Sequence, residues 1–244
     1  MSRLTDDVIL VTGASRGLGR SMSVRFAEAG ANVVLVARDE SALDAVAEET
    51  ATESLVAPGD VTDLDAMEEV VAAAHDRFGG VDTLVNNAGI GLLSMEDGGA
   101  PLADVDADRW RQIIDVNLTG VFNCSKAALP GMVEQGHGNV INISSGLGRR
   151  AAPGYSPYIA SKFGLEGLTK TTAMDYEDDG INVNALDPGG RVNTAFWDHL
   201  PEDERQSILQ PDVMDEAAVR LAAQGPEGVT GESLPADEWE ERLG

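Results

Sequence analysis

The sequence has few redox-active and few basic residues. One cysteine and three histidines occur among 244 residues. A lone Cys124 excludes an internal disulfide, and its neighbours Asn123 and Ser125 make no nucleophile arrangement, so it reads as a core or helix residue. Without a clustered His/Cys set, no catalytic metal is expected. Cations are scarce: 17 Lys and Arg face 42 Asp and Glu, a formal net charge of −25. Lysine occurs only as Lys126, Lys162 and Lys170. Nucleic acid is an unfavourable partner, because phosphate neutralisation needs a basic face. No apolar run reaches membrane-spanning length, and the start, Met1-Ser2-Arg3-Leu4-Thr5-Asp6-Asp7, lacks the layout of a signal peptide. A cytoplasmic location is the expectation. Self-repulsion of this size destabilises a compact chain in dilute buffer and fades in molar salt, where the Debye length falls to ~3 Å. The acidity therefore points to a salt-rich cytoplasm, as in a halophilic microbe, and carries no information about chemistry.

A hydrophobic content of 43% is that of an ordinary globular protein. The length suits one domain, residues 1–244, with no repeat or linker dividing it. Short apolar runs at Val8–Val11, Asn32–Val36, Thr83–Val85, Asn139–Ile143 and Ile181–Leu186 read as strands buried on both faces. Amphipathic stretches at Ser21–Ala29, Ser41–Thr50 and Leu64–Arg77 alternate with them. The alternation predicts an α/β fold: a Rossmann-like, doubly wound parallel sheet with helices on both faces. Ligands in that architecture bind beyond the carboxyl ends of the strands, where the strand order reverses.

The first strand runs into Thr12-Gly13-Ala14-Ser15-Arg16-Gly17-Leu18-Gly19. Gly13 allows a tight turn, Gly17 lets backbone approach a pyrophosphate, and Gly19 lets helix pack on strand. The following helix offers free N–H groups and a positive dipole end to phosphate. Further on, Tyr158 and Lys162 share one helix face at i, i+4, after Ser156-Pro157, which reads as an N-cap with proline at the first helical position. Free tyrosine has a pKa of ~10, and bringing it ~3 units down takes about 4 kcal/mol of preference for the phenolate. A nearby ammonium and a helix N-terminus can supply much of that.

Together these motifs resemble the short-chain dehydrogenase/reductase family. The resemblance rests on Thr12-Gly13-x-x-x-Gly17-x-Gly19, Asn86-Asn87-Ala88-Gly89, Asn117, Ser145, Tyr158-x-x-x-Lys162 and Pro188-Gly189, and it covers nearly the whole chain. It implies an oxidoreductase that moves a hydride between a nicotinamide cofactor and a carbonyl or secondary alcohol. Tyr158 would be the acid/base. Lys162 would hold the nicotinamide ribose, Ser145 would orient the substrate oxygen, and Asn117 would hold a water linking Lys162 to solvent. Cofactor contacts would come from Gly13, Ser15, Arg16, Gly17, Leu18 and Gly19, from Asp60 and Val61 at the adenine, and from Asn87, Ala88 and Gly89. Tyr158, Lys162, Pro188, Gly189, Val192 and Thr194 would complete them at the nicotinamide end. Leu186-Asp187-Pro188-Gly189-Gly190-Arg191-Val192 carries one residue more before its valine than the family pattern. Residues 191–212 are expected to form a lid over substrate, with Phe196 and Trp197 as apolar contacts.

Local charge selects the cofactor. The second strand ends Ala37-Arg38-Asp39, where an NAD enzyme places an acid for the ribose 2′-hydroxyl. Arg38 and Arg16 beside that place favour a 2′-phosphate, so NADP(H) is expected, with NAD(H) the alternative if Asp39 reaches the ribose. Arg149-Arg150, following Ser145, raises a 3-oxoacyl thioester reductase as one option, the pair receiving a CoA or carrier-protein phosphate; an interface or surface salt bridge is the other reading. The resemblance also implies a homodimer or homotetramer paired through the helices of Asn117 and Tyr158. A catalytically silent NADP(H)-binding scaffold is the competing class, but it should lack Ser145, Tyr158 or Lys162. A hydrolase is disfavoured, since His75, His137 and His199 lie away from every motif.

Overall fold

A computed structural model describes residues 3–91, 99–198 and 200–244, so Met1, Ser2 and His199 lie outside the described residues. Seven strands form one parallel sheet in the order β3-β2-β1-β4-β5-β6-β7. They are β1 (Val8–Thr12), β2 (Asn32–Ala37), β3 (Ser54–Pro58), β4 (Thr83–Asn86), β5 (Gly138–Ile143), β6 (Ile181–Asp187) and β7 (Ser233–Pro235). Successive side chains of a strand point to opposite faces, and here both faces are covered. Ile9, Val11 and Leu35 pack with Met22, Phe26 and Trp239 on one side. Val8, Leu10, Val34 and Val36 pack with Met67, Val70 and Met132 on the other.

The chain moves outward through β2 and β3, then returns to place β4 beside β1. The switch point therefore lies between β1 and β4, whose carboxyl ends carry the glycine turn and Asn86-Asn87-Ala88-Gly89. Helix α1 (Gly17–Glu28) starts inside the glycine motif, earlier than its apolar periodicity suggested. Helices α2 (Glu40–Ala47) and α3 (Leu64–Phe78) are capped by Asp39 and Asp63, each accepting an amide of the first turn.

Helix α4 (Ala107–Ile114) runs into α5 (Gly120–Gln135) through a π-helical turn at Asp115–Thr119. That wide turn carries Asn117, which is therefore not in a regular helix interior as its sequence context suggested. Helix α6 spans Ser156–Asp175. Ser156 is its first helical residue and not its cap, because the Tyr155 carbonyl accepts the first helical bond, from Ile159 at 2.9 Å. The Ser156 hydroxyl has no partner among the described residues, and Pro157 takes the second helical position, one later than expected.

Within 191–212, Val192 bridges Leu209 and α7 (Glu202–Ser207) follows a turn at Ala195–Trp197. Helix α8 (Asp215–Ala222) leads to β7 and to α9 (Ala236–Arg242). Trp239 of α9 is fully buried and donates its indole N–H to the Ala185 carbonyl at 3.0 Å, which ties the C-terminal helix to β6.

Candidate active site

The glycine turn is built for a backbone-bound anion. Gly13 and Gly17 have φ of +67° and +57°, the left-handed region that a side chain disfavours. A Cβ on Gly19 would lie 2.3 Å from the Gly13 carbonyl oxygen, so helix and strand approach as closely as backbone permits. Arg16 occupies the α1 cap position with no side-chain cap bond, and the first turn holds no acid. The amides of that turn are thus left for an outside acceptor, and the cradle fits a dinucleotide pyrophosphate. Thr194 faces it, with its methyl 3.3 Å from where a Gly17 Cβ would stand. The longer Pro188-Gly189-Gly190 segment is absorbed by Gly189, at φ +76°, whose amide donates to Asp187 at 2.8 Å.

Asparagines and Thr12 lock the strand ends that carry these groups. Asn87 donates to the Thr12 carbonyl at 2.8 Å and to the Gly13 carbonyl at 3.2 Å. The amides of Asn87 and Ala88 both donate to the Thr12 hydroxyl at 3.0 Å. Asn86 donates to Asn142 at 2.9 Å, and Asn142 donates to Thr169 on α6.

At the adenosine end, Asp39 accepts the Ala42 amide and the Ser41 hydroxyl, and these bonds hold its carboxyl below the usual range. Both bonds fall on its Oδ1. Arg38 is exposed and only loosely paired, its guanidinium 3.9 Å from Asp60. Asp60 itself accepts from the amide and hydroxyl of Thr62. Arg16 is exposed and has no side-chain partner among the described residues.

Ser145 follows β5 in extended conformation and accepts the Leu147 amide at 3.2 Å, and its hydroxyl acts on the Tyr158 phenol to favour the ionised form. One turn along α6, Lys162 is buried, donates to the Ile143 carbonyl at 2.7 Å, and lies 5.9 Å from the Tyr158 ring centre. Burial lowers its pKa to about 8, against the charge of Glu166, which supports the ammonium. Burial raises the Tyr158 pKa, the Ser145 hydroxyl opposes this, and the Asp187 charge adds to the rise. The phenol is thus shifted upward, opposite to the expected direction, because desolvation outweighs the effect of Ser145.

Asn117 is fully buried; its Oδ1 accepts the Ile90 amide at 2.8 Å and its Nδ2 donates to the Ile90 carbonyl at 2.9 Å. It also donates to Ser161 at 3.2 Å, beside Lys162. Cys124 is buried, and burial pushes its thiol up to about 12, which leaves it inert. The paired arginines separate in role. Arg149, although exposed, is paired with Asp187 and Glu166 and bonded to Ser233, so it does not await a phosphate, whereas Arg150 is exposed without a partner among the described residues.

Residues 7–205 match the family model described as short chain dehydrogenase. The chain belongs to the short-chain dehydrogenase/reductase family. It is an oxidoreductase of that family. Among curated proteins it is 34% identical to a 3-oxoacyl-[acyl-carrier-protein] reductase FabG of Thermotoga maritima, over 96% of this chain and 98% of that protein. A protein of the same name from Staphylococcus epidermidis is 41% identical over 82% of this chain and 81% of its own. Among solved structures, carveol dehydrogenase of Mycobacterium avium in complex with NAD superimposes with a TM-score of 0.87 at 28% identity. That match covers 96% of this chain and 97% of the other.

Three groups at the short-chain dehydrogenase/reductase site were not singled out from sequence: Glu166, Asp187 and Ser233. Glu166 did leave a signal, an acid at i+4 from Lys162 on the same helix face. Asp187 is an acid closing an otherwise uncharged strand. Ser233 had none, since only the β6–β7 pairing brings it near.

Proposed function

We propose that this protein is an NADP(H)-linked carbonyl reductase whose substrate is a 3-oxoacyl thioester, with Tyr158 as the acid/base. The capping of α2 by Asp39 carries the cofactor reading. It commits the Oδ1 of Asp39 to α2 instead of a ribose 2′-hydroxyl, and Arg38 and Arg16 flank that place. A 2′-phosphate dianion would gain two charge-assisted contacts there. NADP(H), when bound, supplies or accepts the hydride.

This chain's own residues do the rest. Gly13, Ser15, Gly17, Leu18 and Gly19 cradle the pyrophosphate, and Asp60, Val61, Asn87, Ala88 and Gly89 border the adenosine. Pro188, Gly189, Val192 and Thr194 hold the carboxamide end. Ser145 and Tyr158, close enough for the serine to act on the phenol, present two hydroxyls to one substrate oxygen. Tyr158 gives its proton to the forming alkoxide, and Lys162 and Asn117 lead from the ribose side back toward solvent. The thioester assignment draws on the names of the similar curated reductases and on Arg150, exposed beyond Ser145.

A homo-oligomer paired through α5 and α6 fits the exposed Phe122 and Phe163 on those helices, beside a shallow depression of about 430 Å³ lined by Leu118, Gly164 and Leu168. Among the described residues no helix is long and apolar enough to cross a membrane.

Titration of nicotinamide fluorescence in high salt, with NADPH and with NADH, tests the cofactor reading on wild type and Arg38→Ala. NADPH should bind tighter, and the mutation should weaken NADPH by roughly 10-fold or more while sparing NADH. Equal NADH binding untouched by the mutation would overturn it. Turnover of acetoacetyl-CoA with the preferred cofactor tests the thioester.

A further inference from the structure

Behind Ser145, Tyr158 and Lys162 lies an ion network drawn from four parts of the fold, its two carboxylates buried and its Arg149 guanidinium 37% exposed. Glu166, on α6 one turn beyond Lys162, is 6% exposed, a burial a carboxylate tolerates only when paired. Its Oε1 accepts from the Ser144 hydroxyl, from the Ser233 hydroxyl at 2.9 Å, and from Arg149 at 3.3 Å. Its Oε2 has no partner among the described residues. Arg149, in the turn after β5, also donates to Ser233 at 2.6 Å and is paired with Asp187, a 2% exposed acid at the end of β6.

Two consequences follow from this connectivity. Ser144 and Arg149 bracket the turn that carries Ser145, and both are fastened to Glu166. Glu166 is on the helix of Tyr158 and Lys162, so one carboxylate fixes the Ser145 turn against the acid/base face of α6. The second consequence is electrostatic. One guanidinium faces two carboxylates, which leaves one net negative charge behind the tyrosine.

We propose that Arg149, Glu166 and Asp187 are positioning residues that clamp the Ser145 turn to α6 and bias the resting site toward proton donation, the state that carbonyl reduction needs. This rests on the reading of Tyr158 as the acid/base. The charged groups facing the pair are Lys162 and Glu166 from α6, Arg149 from the turn after β5, and Asp187 from β6; Arg150 lies over Gly146, and Asp237 lies near Gly189 at the rim. Asp187 raises the phenol's proton affinity and Glu166 supports the Lys162 ammonium, in agreement with the geometry.

A purely structural network would lower activity in every variant without a signed effect on titration. The electrostatic one has opposite signs for its two charges. Neutralising an acid, by Glu166→Gln or Asp187→Asn, makes the Tyr158–Lys162 pair release its protons earlier. Neutralising the base, by Arg149→Gln, makes it release them later.

The experiment is the ultraviolet titration of tyrosinate in the cofactor-free full chain, with the Tyr158→Phe signal subtracted within each background. The expected result is a midpoint lowered by on the order of one pH unit in the acid variants and raised in Arg149→Gln. Arg149→Lys should return toward the wild-type midpoint. Shifts of one sign, or none in folded variants, overturn the proposal. Should Asp187→Asn fail to fold by circular dichroism, Glu166→Gln against Arg149→Gln carries the same sign test. Wild-type inactivity on acetoacetyl-CoA, with the opposed midpoints present, would remove the thioester reading and leave this one standing.

Discussion

Lys162 donates its ammonium to the Ile143 carbonyl at 2.7 Å, joining the middle of the first half of α6 to the last residue of β5. The bond fixes the lysine while burial makes its charge expensive, and the pKa falls from 10.5 to about 8. Between those values the unfolded chain binds more protons than the folded one, so stability from this group rises with pH. The cost is full below about pH 8 and is gone near pH 10.5. The stability difference between Lys162→Met and wild type should therefore shift in favour of wild type by up to roughly 3 kcal/mol from neutral pH to pH 10. Urea unfolding across that range reads it, and a pH-independent difference would show that the lysine is not charged at a buried site. In activity, Tyr158→Phe should lower kcat by roughly 10²–10⁴-fold with NADPH affinity changed only a few-fold.

Two glycines separate close approach from mere flexibility. Gly19 has the Gly13 carbonyl oxygen 2.3 Å from any Cβ, and that oxygen belongs to rigid backbone. Gly131, inside α5, has nothing within 4 Å. Gly19→Ala should abolish nucleotide binding and lower thermal stability. Gly131→Ala should add about 0.5–1 kcal/mol by reducing the freedom of the unfolded chain. Thermal melts of both variants check the contrast, and a Gly19→Ala protein that binds NADPH normally would refute the packing of α1 on β1.

The sheet was legible because buried parallel strands leave uninterrupted apolar runs, as at Asn32–Val36 and Ile181–Leu186. Helix ends were less so. α1 begins at Gly17 because the glycine turn itself enters the helix, although Gly17, Gly19 and Arg16 carry no helical periodicity. The capping of α2 by Asp39 could not be separated by spacing alone from a ribose contact, since both need an acid just past the strand; the Ala42 and Ser41 bonds show the capping role. The ion network was invisible for a different reason. Its members Arg149, Glu166, Asp187 and Ser233 are distant in sequence and meet only through sheet order.

Asp215 opens α8 with its Oδ2 accepting from Ser21 of α1 at 2.8 Å and its Oδ1 buried without a partner among the described residues. Burial, with the charge of Asp212 adding to it and the Ser21 bond opposing, raises its pKa to about 7. A raised acid pKa gives stability that is present below about pH 4 and lost as pH rises through 7. Asp215→Asn should match wild type near pH 4 and be more stable above pH 7, by about 1–2 kcal/mol after screening at a partly exposed site. The helix dipole favours an acid there by only ~0.5 kcal/mol, too little to reverse the sign. Urea unfolding at the two pH values measures it, and equal stability above pH 7 would mean that the carboxylate is solvated.

Salt should stabilise this protein although it weakens many visible contacts. Surface pairs such as Arg20–Glu49, Arg77–Glu53 and Arg205–Glu202 are each worth roughly 0–1 kcal/mol and fade with screening. Against them stands a net charge of −25, whose repulsion is spread over the whole surface and is screened by the same ions. The excess of acids leaves most carboxylates without any cation, so relief of repulsion is the larger effect. The melting temperature should rise by about 10 °C between dilute buffer and molar KCl, corresponding to several kcal/mol for a chain of this size. Sucrose at matched osmolality, which does not screen charge, should give a smaller rise. Equal effects of KCl and sucrose would attribute the stabilisation to solvent exclusion, and a falling melting temperature in KCl would mean that the ion pairs outweigh the net charge.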